Sequence, residues 1–132
     1  MFKKTLIVKL RNKIDVVPIR EIIYLEKDLR RIRVHTESGD YVFYARFDEI
    51  MPYLDVRFRR CHRSYIINYD RIEHFEDLLV RMDDSTELPF GRATILRLKK
   101  DFESYVDWKA EKQREIDERA GLVFDRRAGL VF

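Results

Sequence analysis

The chain has 132 residues, of which 45% are hydrophobic, 13% aromatic and 39% charged, with a formal net charge of +3. That is the length of one domain with a single real core. Its charge content is well above the ~25% usual for soluble domains and asks for a charge-dense surface or a long polar helix. No apolar run approaches the ~18–20 residues that span a bilayer, the first one breaks at Lys9, too soon for a signal peptide, and the lone Cys61 excludes an internal disulfide framework. These features set the expectation of a soluble, cytoplasmic protein without direct membrane insertion.

Thr5–Leu10 and Lys13–Ile19 are β-branched runs separated by Arg11-Asn12, and they predict a hairpin whose second strand ends near Pro18. Glu21–Glu26 reads as a strand with a continuous apolar centre. In Arg31–Thr36 the alternation puts Ile32 and Val34 inward and Arg31, Arg33 and His35 outward. Glu37-Ser38-Gly39-Asp40 predicts a turn in which Gly39 supplies any positive φ, and Tyr41–Tyr44 returns as the partner strand. Phe47, Ile50, Met51 and Leu54 fall at helical spacing, with Pro52 limiting or bending the helix.

Arg57–Asn68 crowds Arg57, Arg59, Arg60 and Arg63 with Cys61, His62 and Asn68 against Phe58, Tyr65, Ile66 and Ile67. An unpaired charge buried in a core costs several kcal/mol, roughly. The stretch is therefore expected to dip into the core and emerge carrying positive groups. Arg71–Phe75 and Leu78–Met82 predict a further hairpin, followed by Thr86–Phe90. From Arg92, the residues Ile95, Leu98, Phe102, Tyr105 and Val106 predict a helix packed on the sheet and running past Asp101, with Trp108 nearly opposite that face. Glu115 and Arg119 are spaced for a favourable pair. The tail repeats Arg-Ala-Gly-Leu-Val-Phe at 119–124 and 127–132. Each Leu-Val-Phe suits an edge strand or a neighbour's groove, while the plainer reading is an adventitious or expression-derived end. The fold class expected is mainly β (a β-rich α+β), with small antiparallel sheets, a short helix between them and a C-terminal helical extension.

The basic residues cluster at Arg30–Arg33, Arg57–Arg63 and Arg92–Lys100, whereas 101–132 is net acidic. Clustered arginine suits an anionic partner; it also suits a solvated face paired with Glu26, Asp28, Glu37 and Asp40. Enzyme chemistry has little support. The four glycines are scattered and form no phosphate loop, and the three histidines lack metal-ligand spacing, so neither metal nor cofactor is expected. Cys61 beside His62 is poor evidence for a catalytic pair, because neighbours in extended chain point to opposite faces. Cys61 is a candidate redox-sensitive thiol among arginines or, more simply, a small core residue. Loop arginines favour duplex DNA, where one guanidinium grips guanine bidentately.

Phe58–Asn68 resembles the signature of the LytTR DNA-binding domains of bacterial transcription regulators. Val17–Glu26, Arg71–Phe75 and Leu88-Pro89-Phe90-Gly91-Arg92 support the resemblance, which covers roughly residues 5–102. It implies a DNA-binding domain at 1–102 and an extension at 103–132 that is either partner-binding or expression-derived. It further implies a transcription regulator, not an enzyme, whose three loops reach successive major grooves. Carried over by position, Arg30, Arg63 and Arg92 are the base contacts. Arg31, Arg59, Arg60, His62, Ser64 and Lys99 are the backbone or supporting contacts, and the Asn68 amide ties down the turn after the buried strand. Paired direct-repeat sites in DNA, a homodimer and a membrane-protein regulator are the partners the resemblance suggests. The competing class is a protein-interaction module on the same fold, its basic patch meeting an acidic partner.

Overall fold

The computed structural model describes residues 3–121 and, as backbone strands, 123–125 and 129–131. The first hairpin forms as expected. β1 (Thr5–Lys9) and β2 (Ile14–Pro18) pair antiparallel with Leu6 opposite Val17. Leu6, Val8 and Val17 are buried while Ile7, Ile14 and Val16 are exposed, as a ribbon with one wet face requires. A single 3-10 turn, Ile19–Glu21, then leads into β3 (Ile22–Asp28), β4 (Arg31–Thr36) and β5 (Gly39–Tyr44), an antiparallel meander. Gly39 takes a φ of 134°, and the Thr36 hydroxyl donates to its carbonyl oxygen at 2.6 Å, closing the turn.

α1 (Phe47–Ile50) is one short turn that tightens into a 3-10 segment at Met51–Tyr53, where Pro52 sits. β6 (Phe58–His62) and β7 (Tyr65–Asn68) form the arginine-rich hairpin, and β7 pairs with β3. The result is one five-stranded antiparallel sheet in the order β5-β4-β3-β7-β6. Leu25, Ile32, Val34 and Ile66 on one of its faces pack with Phe47, Ile50, Leu54 and Phe58 into the main core. Ile66 and Ile67 are fully buried and Phe58 nearly so; Tyr65 is half-buried.

β8 (Ile72–Glu76), β9 (Leu79–Met82) and β10 (Glu87–Pro89) make a second sheet in the order β10-β9-β8. Pro89, unable to donate, lies on an edge strand. α2 runs Arg92–Ala120, and β11 (Val123–Asp125) pairs with β12 (Gly129–Val131). The two repeated tail segments thus contribute strands to a ribbon with each other. The chain is mainly β with small antiparallel sheets, a short helix and a C-terminal helix, as expected.

Two compact units divide the chain, Met1–Leu96 and Arg97–Phe132. In the second, Leu98 and Tyr105 are buried, but Val106 is 45% exposed, so the apolar face is narrower than its spacing suggests. Trp108 is half-buried and stacks on Tyr105, ring centroids 5.9 Å apart. Arg119 donates to the backbone carbonyl of Glu115 instead of its carboxylate, which faces Lys112 at 3.5 Å.

One arginine of the central stretch does go inside. Arg57 meets Asp55 through two bonds, Nε to Oδ1 at 2.9 Å and Nη2 to Oδ2 at 2.6 Å, and donates to the Lys3 carbonyl at 3.0 Å. The Lys3 backbone N–H donates to Asp55 Oδ2 at 2.7 Å, tying the N-terminal segment to the same carboxylate. Burial alone would raise the Asp55 carboxyl's affinity for protons. The Arg57 side chain and the Lys3 and Arg57 amides outweigh it and hold the group below its ordinary value.

Asp55→Ala leaves the Arg57 charge without its carboxylate and is expected to cost about 3–5 kcal/mol in urea unfolding at neutral pH. Because the folded-state pKa is lowered, the Asp55 contribution is fully present above the ordinary value of about 3.9 and is lost as pH falls through the folded value. Asp55→Asn should therefore flatten the acid limb of the stability profile between about pH 4 and lower pH.

Candidate nucleic-acid interface

Three turns are brought together by pairing and ring packing. Along β3 and β7, Leu25 lies opposite Ile66 and Glu26 opposite Tyr65. One step further, the Lys27 N–H donates to the Ser64 carbonyl at 2.9 Å. The Arg63-Ser64 turn therefore sits beside the start of the Asp28–Arg31 turn that carries Arg30. Within that turn Leu29 adopts a φ of 59°, unusual for a residue with a branched side chain, and is 83% exposed. On the other flank His62, Tyr65 and Phe90 form a ring cluster with centroids 5.7–6.0 Å apart. Phe90 lies two residues before Arg92, the first residue of α2, and so brings Arg92 toward the Arg63 turn.

The supporting residues are fixed locally. The Ser64 N–H donates to His62 Nδ1 at 3.1 Å, so His62 braces the turn. Asn68 is fully buried: its Nδ2 donates to the Ile22 carbonyl at 2.8 Å, and its Oδ1 accepts from the Asp70 N–H at 3.0 Å. That is the turn-holding role expected of it. Cys61 is buried at a bulge in the β6–β7 register and donates from Sγ to the Tyr65 carbonyl at 3.6 Å, the setting of a small core residue.

The arginines divide into two sets. Arg31 bonds Asp28 at 3.0 Å, and Arg33 lies 3.6 Å from both Asp28 and Asp40. Arg60 bonds Asp48 at 2.8 Å with its guanidinium over the Phe47 ring, and Arg71 is paired with Glu37 and Asp83. Arg59 donates to the Val56 carbonyl and lies over the Tyr69 ring. Arg30, Arg63 and Arg92 are exposed, and among the described residues their side chains make no hydrogen bond or ion pair. Lys99 belongs to the second unit and is half-buried. Three unencumbered guanidiniums on neighbouring turns are donors for phosphate oxygens or for the O6 and N7 atoms of guanine.

The LytTR family model, the LytTr DNA-binding domain, matches residues 12–103. The chain belongs to the LytTR family. A solved LytTr DNA-binding domain from Bacillus cereus, part of a protein named as a methyl-accepting/DNA response regulator, is similar at 25% identity and a TM-score of 0.63. The similarity covers 74% of this chain and 95% of that one. No curated protein matches. As a LytTR domain the chain is a β-rich DNA-binding regulatory domain, and all three exposed arginines fall within the matched residues. Among the described residues, no group of three or more His, Cys, Asp or Glu side chains is placed to hold a metal ion. No described helix is long and apolar enough to cross a membrane.

The sequence reading missed the tier beneath these turns. Tyr24 stacks on His35 at 4.2 Å, and His35 bridges Glu26 at 2.7 Å and Asp40 at 3.0 Å. It also missed Tyr44, which is 80% exposed and lies opposite Arg31 at the same sheet end; the hairpin register around Gly39 was the signal that could have found it. Burial, then the Glu26 carboxylate, pushes the Tyr24 phenol up to about 12 and raises that of Tyr65.

Absorbance titration of the seven tyrosines should thus show a late step near 12, lost in Tyr24→Phe. Since the folded pKa lies above the unfolded one of about 10, the Tyr24 contribution is whole below pH 10 and falls away as pH rises toward the folded value. Tyr24→Phe should remove that part of the alkaline loss of stability.

Proposed function

We propose that this domain is a sequence-specific duplex-DNA-binding transcription regulator that reads successive major grooves with Arg30, Arg63 and Arg92. The observation that carries the reading is the contrast between these three side chains and the arginines around them. Arg31, Arg33, Arg60 and Arg71 are matched by carboxylates, whereas Arg30, Arg63 and Arg92 stand exposed on adjoining turns with no such partner among the described residues. Guanidiniums left unpaired on a protein so rich in acidic groups are available to an outside anion. In this reading His62 and Ser64 support the central loop. Arg31, Arg59 and Arg60 contact the phosphate backbone while sharing their guanidiniums with their present partners, and Lys99 is a further backbone contact.

The DNA-binding domain spans 1–102, and two copies occupy paired direct repeats. The extension 103–132 supplies the contact with a second copy or with a membrane-protein regulator. Exposed Val106, next to the Tyr105–Trp108 stack, and exposed Ile116 about two turns further along α2 support that assignment.

Selection of bound duplexes from a random pool defines the site. Arg63→Ala and Arg92→Ala should then each lose about 1–3 kcal/mol of discrimination at one base position. Log K for the wild-type domain should fall with log salt at about −0.9 per phosphate neutralised. Unchanged affinity and base preference in both variants would sink the assignment. Binding to an acidic protein surface, with no preference among duplexes, would favour the interaction-module reading.

A further inference from the structure

We propose that the cleft between the five-stranded sheet and α1 binds an amphiphilic monocarboxylate, an apolar body with a single carboxylate head, and that this ligand competes with DNA for Arg30. The cleft encloses about 640 Å³, within the roughly 300–1,000 Å³ of small-molecule sites. It lies where the core opens at the sheet end. Lys27 pairs with Ile32, and Ile32 with Phe43, forming the last row on the face that packs on α1. Its floor is apolar: Ile32 and Phe47 at its base are buried, and the open apolar surface is that of Leu29 and Tyr44, 83% and 80% exposed, with half-buried Ala45.

The mouth is cationic in a specific way. Arg46 and Arg60 line it, but Glu49 at 3.4 Å and Asp48 at 2.8 Å offset them. Lys27 and Arg30 also line it and are exposed, and among the described residues their side chains have neither ion pair nor hydrogen bond. Two uncompensated cations beside an apolar floor match one anionic head on an apolar body. A carboxylate suits Arg30, whose fork takes its two oxygens together. A DNA phosphate would meet the cations but leave the floor unfilled. The pocket stands on this geometry alone; the competition also rests on the assignment of Arg30 to duplex DNA, because one guanidinium cannot serve both partners.

The test titrates the isotope-labelled full chain with butyrate, hexanoate and octanoate, following backbone amide shifts. Saturable shifts centred on Leu29, Ile32 and Phe47 are expected, with affinity rising about fourfold per methylene, and Lys27→Gln should weaken octanoate severalfold. Absence of saturable shifts with octanoate overturns the site. So does an equal response to inorganic phosphate without gain from chain length, which would mark a plain anion site. In a duplex-binding assay octanoate should raise the apparent Kd of the wild type by a factor of one plus the ratio of its concentration to its own Kd for the cleft. If octanoate saturates the cleft and duplex affinity is unmoved although Arg30→Ala weakens it, competition is overturned. If Arg30→Ala itself leaves duplex binding unchanged, the DNA assignment of Arg30 has failed, and the amide titration still decides the pocket.

Discussion

Strand β3 hydrogen-bonds to β4 along one edge and to β7 along the other, and the Lys27 N–H extends the second ladder to Ser64. A strand paired on both sides and buried on both faces must be apolar along its centre, and Ile22, Ile23, Tyr24 and Leu25 are all buried. Register is then strongly specified, since a slip of one residue would exchange the two faces and carry the charge of Glu26 onto the face where Leu25 packs in the main core. Once the register is fixed, so is the spacing of the turns at the sheet end. The arginine-rich hairpin cannot move relative to the Arg30 turn without breaking this ladder.

The charge distribution follows a second rule. A domain with so much arginine would repel itself if its cations were unmatched, and the body instead matches them with nearby carboxylates. Asp28 and Asp40 hold Arg31 and Arg33, Asp48 holds Arg60, and Glu37 and Asp83 hold Arg71. Such exposed pairs contribute little stability individually and weaken with salt. Their larger effect is to cancel field over the strands while leaving it at the turns. Net charge of +3 therefore understates the local potential, because the remaining positive groups are not spread evenly.

Local features were legible. The alternation of Ile32 and Val34, the turn at Gly39, the stops at Pro18 and Pro52 and the helix from Arg92 all follow from period and backbone preference. The pairing of β7 with β3 was not, because it joins segments about 40 residues apart and leaves no mark in either. Nor was the Cys61 bulge, where the strict alternation of the arginine stretch breaks, or the positive φ of Leu29, a position where sequence gives no cue. Residue type alone did not sort the arginines either; only the family resemblance set Arg63 apart from Arg59 and Arg60. Arg59 and Arg60 read like Arg63, yet Asp48 reaches Arg60 from α1, and the Val56 carbonyl and Tyr69 ring occupy Arg59. Only the assembled sheet separates a matched arginine from a free one.

That separation bears on how binding free energy is spent. Arg30 and Arg63 sit on short turns closed by ladder bonds, and Arg92 on the first turn of a 29-residue helix. Their backbones are held by the fold itself, so an anion engaging them would freeze mainly side-chain rotamers, about 2 kcal/mol of entropy for each arginine at most. Loops of equal charge but free backbone would add roughly 1–2 kcal/mol per residue ordered. A guanidinium that reaches a base from a rigid turn can thus discriminate between bases, where the same group on a floppy loop would serve mainly as a counter-ion. The Tyr65–Phe90–His62 cluster extends this rigidity from the central turn to the residues preceding Arg92.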